Sequence, residues 1–514
     1  MDMNEPLRSG EKQGARTYDV VVVGGGGSGL AAAASAAEHG ATVLLLEKQS
    51  ELGGSTGLAV GSFTTSETTY QQKAGLEDST GHHIEDASKF APLEIEARNH
   101  EDIRSFFIRH SSETLAWLTD MGIVFQGPTP EPPNRVARMH NVVPGARAYI
   151  YSLQKCVRQH GGTIICGARV NRLIRKGDRV SGVTADVSGV LTEFYAIRGV
   201  VLAAGDYSSA PDLISKYKGP EFSKINGIYT FANGDGHRLS EEVGAQLINM
   251  DVTYGPELRF VPPRKKTLLK RLPAGGILMS LMGKLVPFAP KPVMDAIIKR
   301  ELVVWQHPED SLFGDGAILV NSEGRRFCNE KAPSAREIAI SDQPSKIGYV
   351  LLDQRLVERY SKWPHFISTA PEIAYAYVDD YLRLRRDASV AGNLTSVGEK
   401  RGIPVENLEA TVGEFNRYVG GKTKDPWGRT GDNFSLAGER WVLLGPAKAY
   451  FTTTEGSPTI NTDMQVLDRN DEPIPGLFAV GQNGLGGQIL WGHGLHIAWA
   501  ITSGRLVGKE LASA

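Results

Sequence analysis

The chain has 514 residues, of which 41% are apolar and 22% charged, and its net charge is −2 at neutral pH. This length exceeds what one ordinary hydrophobic core holds, so we expect two or more domains. The nearly neutral charge argues against a nucleic-acid binder, and no apolar run reaches the roughly 20 residues of a membrane span. The three cysteines are too scattered for a metal site or a disulfide framework, which favours a reducing, cytoplasmic location.

A strand followed by a glycine-rich turn opens the first domain. The stretch Tyr18–Gly29 reads YDVVVVGGGGSG, and its four valines predict a strand buried on both faces. The GxGxxG spacing predicts a turn that brings backbone close to a pyrophosphate at the positive end of a helix. The residues that we expect in this turn are Gly24, Gly26, Gly27, Ser28 and Gly29.

The next elements complete a dinucleotide-binding unit. An alanine-rich helix, Leu30–Glu38, precedes a second apolar strand, Ala41–Leu46. The strand stops at Glu47, where an acidic side chain is needed to accept hydrogen bonds from a ribose. A following loop, LGGST, lies at the carboxyl ends of the strands, so we expect it to contact a cofactor that extends past its pyrophosphate. The further cofactor contacts expected here are Lys48, Gly53, Gly54, Ser55 and Thr56.

Strand signals without intervening helices predict a small antiparallel meander inserted between parallel strands. They are Thr163–Cys166, Val170–Ile174, Val180–Ala185, Glu193–Ile197 and Val200–Ala204. We expect Val170, Ala204 and Gly205 to lie beside the cofactor. Asp235, in front of an amphipathic helix predicted from Arg238, either caps that helix or holds a cofactor hydroxyl group.

A proline-rich stretch, residues 128–147, is predicted to be a loop because it cannot hold a long regular element. It carries four groups that can be cationic, and these either meet an anion or are simply solvated. They are Arg135, Arg138, His140 and Arg147.

Residues 254–440 contain more proline and more aromatic residues, and we predict a second domain there, inserted into the first. Within it, residues 264–300 carry nine basic side chains against the single acid Asp295, interleaved with apolar residues. This segment predicts peripheral contact with an anionic membrane, a lid over a hydrophobic substrate entrance, or a solvated basic face. Further on, Gly316–Glu330 predicts a hairpin with its turn at Asn321–Gly324.

The last stretch, residues 441–514, returns to strands and glycines. A buried strand, PGLFAVG, leads into a glycine-rich loop and a helix from about Leu495, whose N-terminus would face the cofactor. The cofactor contacts expected here are Gly481, Gln482, Leu495, His496 and Ile497. The predicted fold is therefore α/β, with a discontinuous Rossmann-like domain over 17–253 and 441–514 and an inserted α+β catalytic domain over 254–440.

The sequence resembles the flavoprotein superfamily of fumarate reductase, succinate dehydrogenase flavoprotein and 3-ketosteroid dehydrogenase. The likeness covers nearly the whole chain from about Tyr18, and its motifs include DVVVVGGGGSGLAAA, LLEKQSELGGST, VVLAAGDYS, ILVNSEGRRFCNE and PIPGLFAVGQ. The resemblance implies FAD, a smaller domain closing over the flavin, and chemistry at a carbon–carbon bond next to an activating group. Hydride then passes between the β-carbon and flavin N5, while a protein group handles the α-proton.

Departures from the fumarate-reducing members bear on the substrate. His140 matches one of their substrate histidines, but Ser334 stands where they have an arginine proton donor, with Arg336 two residues on. Their second substrate histidine falls near Thr453, and their carboxylate-binding arginine near Trp491. A dicarboxylate needs paired cationic donors once it is desolvated, so this likeness predicts that fumarate and succinate are not the substrates.

Compared with the ketosteroid dehydrogenases, Ser334 and Leu490 replace the expected tyrosines, while Gly494 fits the backbone donor to an enolate oxygen. The candidates for the catalytic base are His493, His140 and Tyr149, each of which has a purely structural role as the alternative. Trp491, Leu490 and Phe63 would give an apolar wall. If Arg138, Arg147 or Arg336 points into the pocket, the ketone also bears a carboxylate.

The leading hypothesis is an FAD-dependent desaturase of a cyclic ketone, of the ketosteroid or oxocyclohexanecarboxylate type. The alternative is an ene-reductase of an unsaturated acid or enone, and a third reading is a peripheral membrane flavoprotein that passes electrons to quinone. The expected partners are the small-molecule ketone and an electron acceptor, which is a quinone, oxygen or a carrier protein. No metal and no nucleic acid are expected.

Overall fold

A computed structural model describes residues 16–263, 299–300, 302–304, 306–370, 374–431 and 433–513. The predicted basic segment, residues 264–300, lies almost wholly outside the described residues. Among the helices described, none is long and apolar enough to cross a membrane.

Strands and helices occur throughout the part of the chain that the structure describes. The strands are β1 Arg16–Val23, β2 Val43–Glu47, β3 Ser62–Thr64, β4 Val124–Thr129, β5 Met139–Val143, β6 Thr163–Cys166, β7 Ala168–Lys176, β8 Arg179–Val187, β9 Val190–Leu202, β10 Asn226–Gly227, β11 Leu247–Ile248, β12 Thr253–Tyr254, β13 Glu257–Phe260, β14 Ile318–Val320, β15 Gly348–Leu352, β16 Ser368–Ala370, β17 Ala374–Ala376, β18 Ser389–Gly392, β19 Trp441–Phe451, β20 Thr453–Thr454, β21 Ser457–Pro458, β22 Gln465–Leu467 and β23 Pro473–Ala479. The α-helices are α1 Gly27–Glu38, α2 Thr69–Lys73, α3 Thr80–Ala87, α4 Leu93–Glu96, α5 Glu101–Asp120, α6 Arg147–Gln159, α7 Pro211–Tyr217, α8 Asp235–Glu242, α9 Ser311–Gly314, α10 Ala335–Ser341, α11 Gln354–Arg359, α12 Val378–Leu384, α13 Leu394–Arg401, α14 Val405–Val419 and α15 Leu495–Ser513.

The first sheet has eight strands and contains the predicted dinucleotide-binding unit. Its main path runs β22-β23-β9-β1-β2-β6, with parallel pairing from β23 through β6, and β7 and β8 extend antiparallel from β9. The four valines of β1 are buried, as expected for a central parallel strand. The predicted strand, turn and helix are therefore confirmed, although α1 begins at Gly27, three residues before the predicted Leu30.

The first and last helices of the domain pack backbone to backbone. A Cβ atom placed on Gly504 would lie 2.3 Å from the Ser28 carbonyl oxygen, and one on Gly508 would lie 2.3 Å from the Ala32 carbonyl oxygen. Only glycine allows such an approach, because any side chain would push the helices apart. The C-terminal helix is thus fixed directly against the helix that follows the glycine-rich turn.

The second sheet has six strands around the long strand β19, which pairs with β10, β13, β15 and β18. Its core includes Leu258, Leu319, Val350 and Leu443. Trp441–Phe451 is predicted to belong to the returning part of the first domain, whereas this strand lies at the centre of the second sheet.

Two local predictions were wrong. The stretch 128–147 is not simply a loop, because β5 lies inside it and pairs with β3 and β4 in a three-stranded sheet; its prolines fall outside that strand. The predicted strands Glu193–Ile197 and Val200–Ala204 are one continuous strand, β9, which pairs with β8 at one end and with β1 along its length. In the second domain, the predicted hairpin is present as a single bridge between Val320 and Arg326 across the turn.

Candidate active site

The glycine-rich turn has the geometry of a pyrophosphate site. Gly24 has φ +111°, and a Cβ on Gly29 would lie 1.9 Å from the Gly24 carbonyl oxygen, so both glycines are required by packing. A Cβ on Gly26, in contrast, would meet nothing within 4 Å, which leaves open space in front of the helix. The first turn of α1, which includes Gly27 and Ser28, carries no acidic residue and no side-chain cap. Its N–H groups are therefore available to an anion.

Glu47 fixes the turn to the second strand. Its carboxylate is buried, and the two oxygens accept hydrogen bonds from the backbone N–H of Gly25 at 2.6 Å and of Gln49 at 2.7 Å. Each carboxylate oxygen can accept more than one hydrogen bond, so a ribose hydroxyl can still bind there.

The second glycine loop lies against the first. Gly53 donates to the carbonyl oxygen of Gly25 at 2.9 Å, and a Cβ on Gly54 would lie 3.2 Å from the Gly26 Cα. Ser55 and Thr56 begin a short 3-10 helix there, and Thr56 Oγ1 would lie 2.7 Å from a Cβ on Gly27. The two predicted cofactor loops therefore share one face of the domain.

Asp235 does not cap its helix. Lys48 Nζ lies 2.7 Å and Arg169 Nη2 2.9 Å from its carboxylate oxygens. Burial raises the pKa of this carboxyl, but the hydrogen bonds from Lys48 and Arg169 outweigh it and lower the pKa below its ordinary value. The capping role was wrong because Gly234 is the N-cap and the Asp235 carboxylate pairs with these two cations, and the cofactor-hydroxyl role stays a prediction.

The remaining predicted cofactor residues come from three elements. Val170 is buried in β7, Ala204 donates its N–H to Asn483 Oδ1 at 3.3 Å, and Gly205 has φ +78° with open space beside it. A Cβ on Gly481 would lie 2.6 Å from Ser28 Oγ, which places the C-terminal loop on the glycine-rich turn. The side-chain amide of Gln482 donates to Thr453 and Thr454.

Several buried polar atoms of this region have no hydrogen-bond partner among the described residues. They are Glu455 Oε2, Asn483 Nδ2, Oε1 and Nε2 of Gln488, and Trp491 Nε1. An unpaired buried polar group costs about 1–3 kcal/mol, so their grouping in and around the C-terminal glycine loop indicates a polar ligand. Together with the open turn at Gly26, these atoms fit a bound FAD.

His493 and Glu131 form a hydrogen-bonded imidazole–carboxylate pair at the C-terminal loop. Glu131 is buried, and its Oε1 accepts hydrogen bonds from the His493 backbone N–H at 2.9 Å and from Nδ1 at 2.5 Å. The His493 side chain is 61% exposed, so its Nε2 can meet a substrate. The hydrogen bond to Glu131 raises the pKa of His493 above its ordinary value.

His140 and Tyr149 have structural hydrogen bonds instead. His140 is fully buried, with Nε2 3.0 Å from Thr68 Oγ1 and Nδ1 3.3 Å from the Phe63 carbonyl oxygen, and burial lowers its pKa to about 4. The Tyr149 hydroxyl donates to the Gly61 carbonyl oxygen at 2.8 Å, and burial raises its pKa. Strand β3 separates His140 from the C-terminal loop, because Phe63 pairs with His140 while Thr64 donates its hydroxyl to the His493 carbonyl oxygen.

Ser334 and Arg336 belong to the start of helix α10. The Ser334 N–H donates to Glu337 at 2.7 Å, and the Arg336 guanidinium pairs with Glu337 at 2.7 Å and Asp310 at 2.8 Å. Both residues are therefore held in contacts that stabilise the second domain.

Neither of the other two arginines considered for a substrate carboxylate is a free cation inside a pocket. Arg138 is fully buried between Asp78 and Asp86, at 2.7 Å from each, and Arg147 is exposed at the first turn of α6.

Gly494 and Trp491 complete the C-terminal loop. Gly494 has φ +81°, and no group in the described part of the chain accepts a hydrogen bond from its N–H. The Trp491 ring packs edge-on against Tyr254 at 5.2 Å, and Leu490 is buried. Burial raises the pKa of Tyr254 to about 12, so this phenol is neutral. Phe63, expected in the same wall, lies instead in the core of the first domain.

Sequence reasoning missed three residues of this site: Glu131, Tyr254 and Glu455. Glu131 lies 362 residues from His493 along the chain, and Glu455 lies 41 residues from His496. No local spacing connects such partners; the only signal was that Glu455 is the single charged residue in the run 449–462.

A family model described as FAD binding domain matches residues 19–488. A probable fumarate reductase of Shewanella frigidimarina is 26% identical over 92% of this chain and 71% of its own length. An NADH:fumarate oxidoreductase of Klebsiella pneumoniae is 26% identical over 98% of this chain, which spans only 48% of that protein. A vinyl phenol reductase of Lactiplantibacillus plantarum is 23% identical over 96% of both chains.

Two solved structures have the same fold. The open conformation of a flavocytochrome c3 fumarate reductase has a TM-score of 0.70 at 24% identity and covers 97% of this chain and 78% of that one. A 3-ketosteroid delta1-dehydrogenase from Sterolibacterium denitrificans has a TM-score of 0.63 at 16% identity and covers 97% and 100%. The predicted fold class, an α/β FAD-binding domain with an inserted domain, is confirmed.

Proposed function

Because the chain belongs to the FAD binding domain family and is an FAD-dependent oxidoreductase of the fumarate reductase type, we propose that it reduces the double bond of an enone or an unsaturated acid with one carboxylate. The observation that carries this proposal is the Glu131–His493 pair, which favours the protonated imidazole that a reductase needs.

FAD bound in the site supplies the hydride for the β-carbon. Residues from both ends of the chain would hold it, with the pyrophosphate on the first turn of α1 and the ribose on Glu47. The residues proposed for this role are Gly24, Gly26, Gly27, Ser28, Gly29, Glu47, Lys48, Gly53, Gly54, Ser55, Thr56, Val170, Ala204, Gly205, Asp235, Gly481, Gln482, Leu495, His496 and Ile497.

His493 is the proposed proton donor. Its Nδ1 is held by Glu131, so Nε2 carries the transferable proton toward the α-carbon of the substrate. The carboxylate stabilises the imidazolium before the transfer, and the exposed ring can regain its proton from solvent afterwards. His140 and Tyr149 are not proposed for this step, because their polar atoms are bonded within the protein.

Gly494 is the proposed site for the activating carbonyl group. Its N–H can donate to the oxygen on which negative charge develops as hydride reaches the β-carbon. A Cβ at this position would lie 2.8 Å from Thr64 Oγ1, so the loop keeps its backbone exposed only with glycine here.

The apolar wall limits the substrate class. Trp491 falls near the carboxylate-binding arginine of the fumarate-reducing members and packs against Tyr254. Arg138 and Arg336 are already paired with acids. An apolar or aromatic body next to the double bond suits this wall better than a second carboxylate.

Reoxidation of the reduced enzyme tests the proposal. The flavin is photoreduced without oxygen and then mixed with cyclic enones, aryl-substituted alkenes, acrylate-type acids and fumarate, while the flavin absorbance is followed. We expect rapid return of the oxidised spectrum with an enone or monocarboxylic acid and slow return with fumarate. Failure of all these alkenes to reoxidise the flavin would overturn the proposal.

The second candidate is desaturation of a cyclic ketone, the reverse reaction. It is favoured by the free N–H of Gly494, which suits an enolate in either direction. Here His493 must be neutral to take the α-proton, so the desaturation rate should rise as pH increases through the raised pKa of His493, whereas the reduction rate should fall. Rates measured in both directions over pH 5–9 separate the two.

A further inference from the structure

A second carboxylate–imidazole pair lies on the other side of Gly494. The Glu455 side chain is fully buried, and its Oε1 is 3.0 Å from His496 Nε2. Its other oxygen, Oε2, is buried without a partner in the part of the chain that the structure describes. A buried carboxylate is costly unless a cation or a donor compensates it, and His496 is the partner that the fold provides.

The position of His496 follows from the packing of α15. This residue is in the first turn of the helix, and Gly504, further along the same helix, touches the Ser28 backbone at the pyrophosphate turn. Because an α-helix rises about 1.5 Å per residue, the start of α15 lies roughly 14 Å from that contact along the helix axis. The loop in front of α15 packs on Ser62–Thr64 through Gly494. The helix N-terminus therefore lies beyond the pyrophosphate, toward the ring end of an extended FAD.

A positive charge at the N-terminus of α15 affects the reduction potential of the flavin ring. The N-terminus of a helix is positive, and an imidazolium in its first turn adds to that potential. Two-electron reduction adds negative charge to the ring, so a nearby positive charge stabilises the reduced cofactor and raises its potential. The Glu455 carboxylate lies 3.0 Å from His496 Nε2 and fixes the orientation of this ring.

We propose that Glu455 and His496 form a pair that raises the reduction potential of the bound flavin, with Glu455 holding the His496 imidazole beside the ring. This role is separate from the proton transfer assigned to His493, and it rests on the FAD site but not on the proposed substrate. Glu455 acts through His496 and is a positioning residue.

Spectroelectrochemical titration of the FAD-loaded enzyme without substrate tests this pair. We expect the midpoint potential of His496→Gln to be lower than that of the wild type, and the potential of Glu455→Gln to shift in the same direction. The double variant should have the same midpoint potential as His496→Gln alone. His496→Lys, which places an ammonium group at this position, should retain most of the wild-type potential.

A matched control tests whether the change in potential is specific to the Glu455–His496 pair. His39→Gln, at the far end of α1 from the glycine-rich turn, is expected to leave the potential unchanged. If His496→Gln does not retain FAD, His496→Asn replaces it with the same expectation. An unchanged potential in the neutral His496 variants, or a higher potential in Glu455→Gln, would overturn the proposal. Because no substrate is present, neither result depends on the alkene reduction.

Discussion

The two carboxylate–histidine pairs that flank Gly494 use the same chemistry in different surroundings. His493 lies in a loop and is 61% exposed, while His496 lies in the first turn of a helix and is 28% exposed. Glu131 binds both the backbone and the ring of its histidine, whereas Glu455 contacts the ring alone. The imidazole of His493 is open to solvent, whereas the less exposed imidazole of His496 is held by a fully buried carboxylate. The difference in solvent exposure between His493 and His496, more than their residue type, therefore separates the two proposed roles.

Removing the accessible imidazole should have the largest effect. We expect His493→Gln to lower kcat for alkene reduction by about 10²- to 10⁴-fold, because the α-carbon loses its proton donor. Steady-state turnover measures this, with the flavin spectrum as a control for an intact cofactor site. A loss smaller than about tenfold would show that another group donates the proton.

Glu131→Gln should weaken the same step less and move its pH dependence. Without the carboxylate, the pKa of His493 falls toward its ordinary value, so the reduction rate is lost at a lower pH than in the wild type. Each unit of decrease in the pKa removes up to about tenfold of the protonated form at high pH. The pH profile of kcat measures this shift; a profile that does not move would separate Glu131 from the proton step.

Trp491→Ala should act on binding. Loss of a large apolar contact of about 1.5–3 kcal/mol is expected to raise KM for a bulky enone by about tenfold or more, with little change in kcat. A small acrylate-type acid serves as the matched comparison, because it should not reach the wall. Equal effects on both substrates would argue that the change disturbs the loop itself.

Glu455→Gln should have the smallest effect on the proton step. We expect the pH profile of alkene reduction to keep the wild-type shape, because His493 and Glu131 are unchanged. The profile is best recorded with single-turnover mixing of the reduced enzyme, where the proton transfer is seen directly. A shift as large as that in Glu131→Gln would contradict the division of roles between the pairs.

The sequence predicted the parts of the molecule that depend on local spacing. The turn at Gly24–Gly29 and the acid at Glu47 follow from one short fingerprint, and the buried valines specify a central strand. Strand β5 was not predicted because the prolines around it indicate a loop. The charge of Arg138 argues against burial, but Asp78 and Asp86 neutralise this charge in the folded protein. Those acids are 60 and 52 residues away in the chain.

The candidate site was predicted only in part, again because some of its contacts join residues that lie far apart in the sequence. His493 and Gly494 lie in a recognisable glycine loop, but their chemistry depends on Glu131, whose contact is set by the tertiary fold. His140 and Tyr149 were plausible as residue types, and only their burial among backbone acceptors separates them from His493. Residue identity can suggest a base, but solvent access and partners decide whether it can act as one.

The glycine contacts between α1 and α15 have a consequence for assembly. The glycine-rich turn is translated long before α15, the helix that packs on its backbone through Gly504. Until Gly504 and Gly508 have left the ribosome, one wall of the cavity is missing. Stable loading of the flavin therefore requires that α15 has been made, and a variant that lacks α15 should be recovered as apoprotein.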